Sequence, residues 1–438
     1  MAITNEKEEL LFRVGPGTPS GEVMRRYWLP VETSANLGGR RGEFLGTRNP
    51  LRVKVLGENL VLFRDGSGKP GLVAEHCAHR GTSLYYGRVE ENCIRCLYHG
   101  WAFDRDGTCI DQPAEPPTSN FKQTVRQPAY PCVEVGGLIF AYMGPLELQP
   151  PFPKYPQLFR TDGLRLTGNG GRIQKSNVFL QILDNVLDPW HAEIGHGWFK
   201  DPPVMHRMHH GIDGQPPTPV KYERTPWGAC YVRLTNTSRR GIYEYHETHA
   251  VLPCQRCQRP GAGGIIWAVP MDDFTTRWLG VSFYPFDEDG NLPPEAEQAI
   301  HSQGLSDQRA SYSENWVEEV GHWWNHGHPW RGGAIWEDEV FMGTQGDAER
   351  GFLPDWDKWH LASSDRGVAL MHRLWKEQVD RIKEGLDPIG IIREPDDEKF
   401  IPVTADVRFL NWGEGLARFN MSIEERTRER EFELSQAR

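Results

Sequence analysis

Residues 75–101 read EHCAHRGTSLYYGRVEENCIRCLYHGW, with three cysteines and three histidines in 27 positions. The order is Cys77-x-His79, then sixteen residues, then Cys96-x-x-His99. Each half sets one thiol and one imidazole on a tight loop, and two such loops can close on one metal centre from opposite sides. A structural zinc site also takes two Cys and two His. Zinc fingers, however, pair Cys with Cys and His with His, at wider spacing within each pair. His76 and Cys93 lie beside the set but outside its spacing, so they read as packing or supporting residues.

One thiolate and one imidazole per loop is the ligand pattern of a Rieske [2Fe-2S] cluster, in which two Cys hold one iron and two His the other. Neutral imidazole in place of thiolate makes such a cluster less negative and easier to reduce. Arg80-Gly81 follow the first His, Gly100-Trp101 follow the second, and FDRDGTC completes the run. The stretch resembles the Rieske box of ring-hydroxylating oxygenases, C-P-H-R-G … C-x-Y-H-G-W-x-F-D. Ala78 stands where that box has proline, and all four ligand positions are kept.

Outward from this stretch the chain is long, 438 residues, enough for about two domains of ~150–200 residues each. A net charge of −11 argues against a polyanion such as nucleic acid as partner. No apolar run reaches the ~18 residues of a membrane span. The opening MAITNEKEELLF lacks an apolar signal core, so the expected compartment is the cytoplasm. Eight cysteines in so large a chain do not form a disulfide framework, and clustered Cys and His in a reducing compartment point to metal.

Residues 5–28 read as a helix broken by GPGTPS, with Thr18 or Ser20 as cap and Glu22 in the first turn. LRVKVLG, LVLFRD, GLVAEHC and GLIFAYMG read as short strands between turn residues. PLELQPPFPKYPQLF (145–159) suits a linker. SNVFLQILDNVLDPWHAEIGH and 367–386 read as helices, and ACYVRLT, GIIWAVP and RWLGVSFYPF as strands. The C-terminal EERTREREFELSQAR reads as a solvated charged helix or tail. The fold class expected is α+β. Its domains are a helical segment over 1–45 packing on the catalytic domain, an all-β Rieske domain over 46–150, and a catalytic domain with an antiparallel sheet over 151–438.

A Rieske centre alone only carries electrons. The remaining length needs another purpose, and Asp188-x-x-His191-x(4)-His196 supplies one. On a helix the two histidines stand about 500° apart and share a face only if the helix ends between them; Gly195 allows that. Two imidazoles and a carboxylate make the facial triad of non-haem Fe(II) oxygenases, with open positions for O2 and substrate. The motif resembles that of the Rieske non-haem iron oxygenases. The resemblance implies that Asp188 is not a ligand but a hydrogen-bonded bridge from His99 of a neighbouring chain to His191. It also implies a downstream carboxylate ligand. In the phthalate dioxygenase branch an Asp is followed eight positions on by Gly and four further by Arg, and Asp338, Gly346 and Arg350 fit that register. Glu337 and Asp347 compete with Asp338. The acidic run 337–339 also reads as a solvated helix start.

The opening RVGPGTPSGEVMRRYWLP is similar to the start of proteins in the branch that holds phthalate 4,5-dioxygenase and 5,5'-dehydrodivanillate O-demethylase. This implies an α-only oxygenase, usually a homotrimer, with a helix-grip catalytic domain, a [2Fe-2S] cluster, mononuclear Fe(II), and electrons from NAD(P)H through a separate reductase or ferredoxin. The expected substrate is an aromatic acid, by preference a methoxylated lignin-derived biaryl that is O-demethylated; cis-dihydroxylation is the alternative. A Rieske electron carrier and a zinc-stabilised binding module are the readings from other classes, and the second motif argues against both. HWWNHGHPW (322–330), MHRMHH (205–210) and Cys254-x-x-Cys257 are read as pocket lining, loops or thiols. Trp190, Trp198, Trp323, Trp324, Trp330 and Trp336 hint at a flat aromatic guest, and serve equally as core.

Overall fold

The computed structural model describes residues 11–38, 49–168, 172–175, 179–195, 220–237, 239, 241–258, 263–297, 299–300, 338, 341–346, 354, 356–396 and 399–436. The short apolar runs of the first third become small antiparallel sheets. Leu51–Val55, Glu58–Arg64, Pro70–Ala74 and Ala129–Tyr130 form one, in that order. Its first hairpin turns at Leu56 and Gly57, both at positive φ (48° and 79°), the backbone that a two-residue turn between twisted strands requires. Arg88–Val89, Ile94–Arg95, Ala102–Phe103 and Cys109–Asp111 form a second four-stranded sheet. The Cys77–His79 pair lies on the loop that precedes this sheet, and the Cys96–His99 pair on the turn between its second and third strands.

The expected helix over 5–28 ends sooner than the pattern promised. Helix α1, Pro19–Met24, starts where Thr18 accepts from the Gly21 amide, with proline in its first turn. The chain then extends, and Trp28–Thr33 pairs with Leu138–Tyr142. Pro30 cannot continue a helix. The consecutive apolar residues there reflect a strand buried on both faces.

The second half is built on a nine-stranded antiparallel sheet. Its path runs Gly163–Thr167, Thr275–Pro285, Gly264–Pro270, Gln255–Gln258, Tyr243–Val251, Gly228–Asn236 and Val220–Thr225, with Arg172–Lys175 and Asp406–Leu410 pairing beside it. The single helix read over SNVFLQILDNVLDPWHAEIGH is split into α2 (Phe179–Val186) and α3 (Pro189–Ile194), whereas α4 (Arg366–Lys383) follows the sequence reading. α4 buries Val368, Met371, Leu374, Trp375 and Val379 on one stripe. Arg13 to Asp273 at 2.7 Å, Lys54 to Asp272 at 2.6 Å and Arg277 to Glu32 at 2.6 Å tie the two halves together.

The charged C-terminal run is not simply solvated. After α5 (Trp412–Asn420), Ser422 and Glu425 form a capping box for α6, Ile423–Ser435. Arg426 and Arg430 are 0% and 3% exposed. Four residues apart, they share a face with Leu434. Strand Tyr243–Val251 turns Tyr245, Glu247 and His249 to one side, as its period of two requires. Arg426 Nε lies 3.0 Å and Arg430 Nη1 2.9 Å from the Glu247 carboxylate, which also accepts from Tyr245 at 3.0 Å. Arg426 reaches Glu223 as well.

Candidate metal centres

The two Cys/His loops share one construction. Cys77 N–H donates to Thr82 O at 2.9 Å and Gly81 N–H returns to Cys77 O at 2.9 Å; Cys96 to Trp101 at 2.8 Å and Gly100 to Cys96 at 3.1 Å repeat the pattern. Gly81 and Gly100 both take φ +74°, where other residues are strained. The unequal spacing Cys-x-His and Cys-x-x-His therefore records where the imidazole stands on equivalent loops. Cys77 and Cys96 are buried with Val61, Phe63, Ile94 and Phe103. His79 and His99 are half-buried, their rings 4.6 Å apart, and His79 stacks on Trp101 at 4.3 Å.

Burial pushes the Cys77 thiol up to about 11, against amide donation from His79, and Cys96 adds to the rise. Two adjacent buried thiolates need a compensating cation. Thiols inside and imidazoles outside, converging from two loops, fit a Cys2His2 [2Fe-2S] group.

The supports of these loops carry no spacing signature, and sequence reasoning missed them. Buried Gln127 accepts from Ala78 N–H at 2.7 Å and donates to the carbonyls of Ala74 at 2.8 Å and His76 at 2.9 Å. A proline at 78 would have no N–H to give, so the departure from the family box is put to use here. His76 Nδ1 lies 2.9 Å from Gly81 O, and Cys93 Sγ 3.6 Å from Glu90, the supporting places expected of both. Arg95 grips the second loop at Gly100 O (2.6 Å) and bonds Asp111 (2.7 Å) and Glu90 (2.9 Å). The Arg95 guanidinium holds the Glu90 carboxyl down to about 2. Leu97 and Tyr98 beside His99 are 72% and 58% exposed.

The second motif breaks the helix at Asp188. Its Oδ1 accepts from the amides of Trp190 at 2.9 Å and His191 at 3.3 Å, capping α3 ahead of Pro189. This capping role was not read from the sequence. Burial raises the Asp188 carboxyl, with His191 opposing. Oδ2 lies 3.7 Å from His191 Nδ1, within ion-pair reach but too long for a hydrogen bond. On the ring's other edge, Nε2 lies 3.4 Å from Asp338 Oδ1. Asn185 Nδ2 bridges the two, 3.1 Å from Nε2 and 2.9 Å from Oδ1. His191 Nε2 and Asp338 Oδ1 thus converge on one place, and imidazole with carboxylate is the donor set of a non-haem iron.

α3 ends before Gly195, where a Cβ would sit 2.6 Å from the Phe341 ring. Gly195 itself is right-handed helical, its N–H bonding His191 O, and close approach explains the glycine; the break expected there to bring His196 beside His191 lies outside the described residues. His196, Glu337, Asp347, Arg350, the two His-rich stretches, and Trp198, Trp323, Trp324, Trp330 and Trp336 lie outside the described residues.

Cys230, Glu247 and His249 also converge. Two buried arginines already neutralise that glutamate, so this cluster reads as an ion-pair network. Cys254 and Cys257 are buried free thiols.

The Rieske [2Fe-2S] domain family matches residues 28–127. Phenoxybenzoate dioxygenase subunit alpha of Ectopseudomonas oleovorans is 34% identical over 396 residues, 87% of this chain and 87% of that protein. The 5,5'-dehydrodivanillate O-demethylase oxygenase subunit of Sphingobium sp. (strain NBRC 103272 / SYK-6) is 32% identical over 415 residues, 92% of this chain and 86% of that one. The fold is shared with a solved structure of the NdmA QL mutant of Pseudomonas putida CBB5 with theobromine, at TM-score 0.57 and 18% identity, over 86% of this chain and 99% of that one.

Proposed function

The chain belongs to the Rieske oxygenases, as an α subunit that carries a [2Fe-2S] centre and a non-haem iron and acts on aromatic compounds, and from that premise we propose that it O-demethylates a methoxylated aromatic acid of the lignin-derived biaryl kind. The observation that carries this is the likeness to the dehydrodivanillate O-demethylase subunit, which spans both halves of the chain. The comparable likeness to phenoxybenzoate dioxygenase subunit alpha favours a second reading, cis-dihydroxylation. The two differ in product: O-demethylation yields the phenol, formaldehyde and water from O2, two electrons and two protons, whereas dihydroxylation leaves both oxygen atoms on the ring.

In this reading Cys77, His79, Cys96 and His99 hold the cluster, and His191, His196 and Asp338 the mononuclear iron. Bound there, the two centres supply one-electron storage and O2 activation. The chain's own part is to set the donors. The paired loops keep thiols buried and imidazoles outward, Asp188 orients the His191 ring, and Asn185 holds Asp338. The exposed Leu97 and Tyr98 beside His99 suit a contact with the next chain of a homotrimer. Asp188 there bridges that chain's cluster to His191. The electron donor is a separate NAD(P)H-dependent reductase, and the compartment is the cytoplasm.

A panel of methoxylated and unsubstituted aromatic acids with a surrogate reductase tests the reaction. Formaldehyde released in step with O2 is the expected result, and a cis-diol without formaldehyde overturns it. Asp188→Asn tests the bridge. Asparagine caps a helix as well as aspartate does, so α3 stays and only the charge is lost. Both metals should remain while single-turnover transfer between them slows about 10–100-fold. Unchanged single-turnover kinetics would remove the bridging role.

A further inference from the structure

One turn before Asp188 lies a second carboxylate that the reading above leaves unused. Asp184, buried on α2, places Oδ2 2.7 Å from His372 Nε2 on α4. Trp356 stacks on the His372 ring at 3.6 Å and 8°, and itself meets Phe12 edge-on at 4.6 Å. The imidazole is thus fixed by an indole on its face and a carboxylate at its edge. Burial pushes the Asp184 carboxyl up, and His372 opposes the rise.

The polar side chains of α2 point two ways. Gln181 and Asn185, four apart, share a face. Gln181 Nε2 donates to Met342 O at 3.0 Å and Gln345 Oε1 at 3.0 Å, and Asn185 Nδ2 donates to Asp338 at 2.9 Å. Asp184 stands about 60° round the helix from Gln181 and about 100° from Asn185, toward α4. The helix is therefore held against rotation from two sides. At a side-chain radius of about 5–6 Å, a rotation of about 10° carries the Asn185 amide about 1 Å, enough to break a hydrogen bond.

Resting on the assignment of His191 and Asp338 as iron ligands, we propose that His372 and Asp184 are positioning residues for that centre: their pair sets the rotation of α2 that holds Asn185 against Asp338. Neither touches the reacting atoms.

The probe is Fe(II), titrated into the full-length protein after a chelator has removed the mononuclear iron and left the [2Fe-2S] absorbance intact. His372→Leu should weaken Fe(II) binding about 10-fold or more. His372→Gln, whose amide still donates to Asp184, should stay within about 3-fold of the parent. The double variant Asp184→Leu/His372→Leu leaves no lone buried carboxylate. Its Tm should recover while Fe(II) affinity stays about 10-fold weak, because the hold on α2 from the α4 side is gone and the Gln181 bonds alone do not fix its rotation.

Recovery of Fe(II) affinity together with Tm in the double variant would make the pair merely structural and overturn the proposal. Parent-like Fe(II) binding by His372→Leu would overturn it too. A His191→Ala control separates this from the ligand assignment. Iron retained in that control sinks the assignment itself. Iron lost there, with the His372 series unaffected, sinks only the positioning role.

Discussion

His191→Ala should lose the mononuclear iron and at least about 10³ in turnover, the several kcal/mol that a catalytic metal supplies, while the visible spectrum of the [2Fe-2S] centre persists. The His191 ring stands between two carboxylates, Asp188 on the Nδ1 edge and Asp338 beside Nε2. Its removal takes away a neutral donor and leaves Asp188 and Asp338 with no imidazole between them. Asn185 keeps its bond to Asp338 but loses its second partner. The Cys/His loops lie on a different sheet, closed by their own backbone bonds and by Gln127 and Arg95. Among the described residues, none of these bonds reaches α3. Metal analysis with visible spectroscopy separates the outcomes. Loss of the cluster absorbance along with the iron would mean that the two motifs do not form separate centres, and undiminished iron would remove His191 from the ligand set.

The sequence was legible where chemistry demands a residue type at a spacing, and opaque where geometry alone does the work. That Cys77, His79, Cys96 and His99 come together, and Asp188 with His191, could be read because thiol, imidazole and carboxylate are scarce and their intervals short. That Cys-x-His and Cys-x-x-His lie on equivalent loops could not be read, since the equivalence is in backbone hydrogen bonds. Gln127 and Asn185 were missed because an amide has no motif. Each acts by filling a place between groups far away in sequence, Asn185 and Asp338 being 153 positions apart. The helix read over 5–28 ran too far, into the strand Trp28–Thr33, because a strand buried on both faces loses its alternation, and a short apolar run fits either element. The C-terminal run was misread because a charge-rich segment ordinarily faces water. Here one face of it does, and the other is consumed by a partner on the sheet.

That buried face carries the second large effect. Arg426→Ala should cost about 3–5 kcal/mol of folding stability, the range for removing one partner of a buried ion pair. The guanidinium serves Glu247 and Glu223 together, and Arg430 alone cannot reproduce its geometry. Burial alone would raise the Glu247 carboxyl, but His249 and the two arginines more than offset it and hold the group below its usual 4.5. Burial lowers His249 from 6.5, and the adjacent arginines reinforce its neutral form against Glu247. The signs agree. For both groups the unfolded chain binds protons that the fold refuses, so stability rises with pH. The His249 share is present above pH 6.5 and drains as pH falls from there; the Glu247 share is present above 4.5 and is lost below it. Taking away Arg426 weakens the field that keeps Glu247 ionised, so its carboxyl moves up and acid unfolding begins at a higher pH. Denaturant titrations from pH 4 to 8 on parent and variant measure both effects. A variant within about 1 kcal/mol of the parent, with an unshifted acid limb, would mean that α6 does not dock through these arginines. Replacing Arg426, Glu247 and Arg430 together with apolar residues of similar volume should recover most of the loss, because the desolvation cost of the charges goes with them.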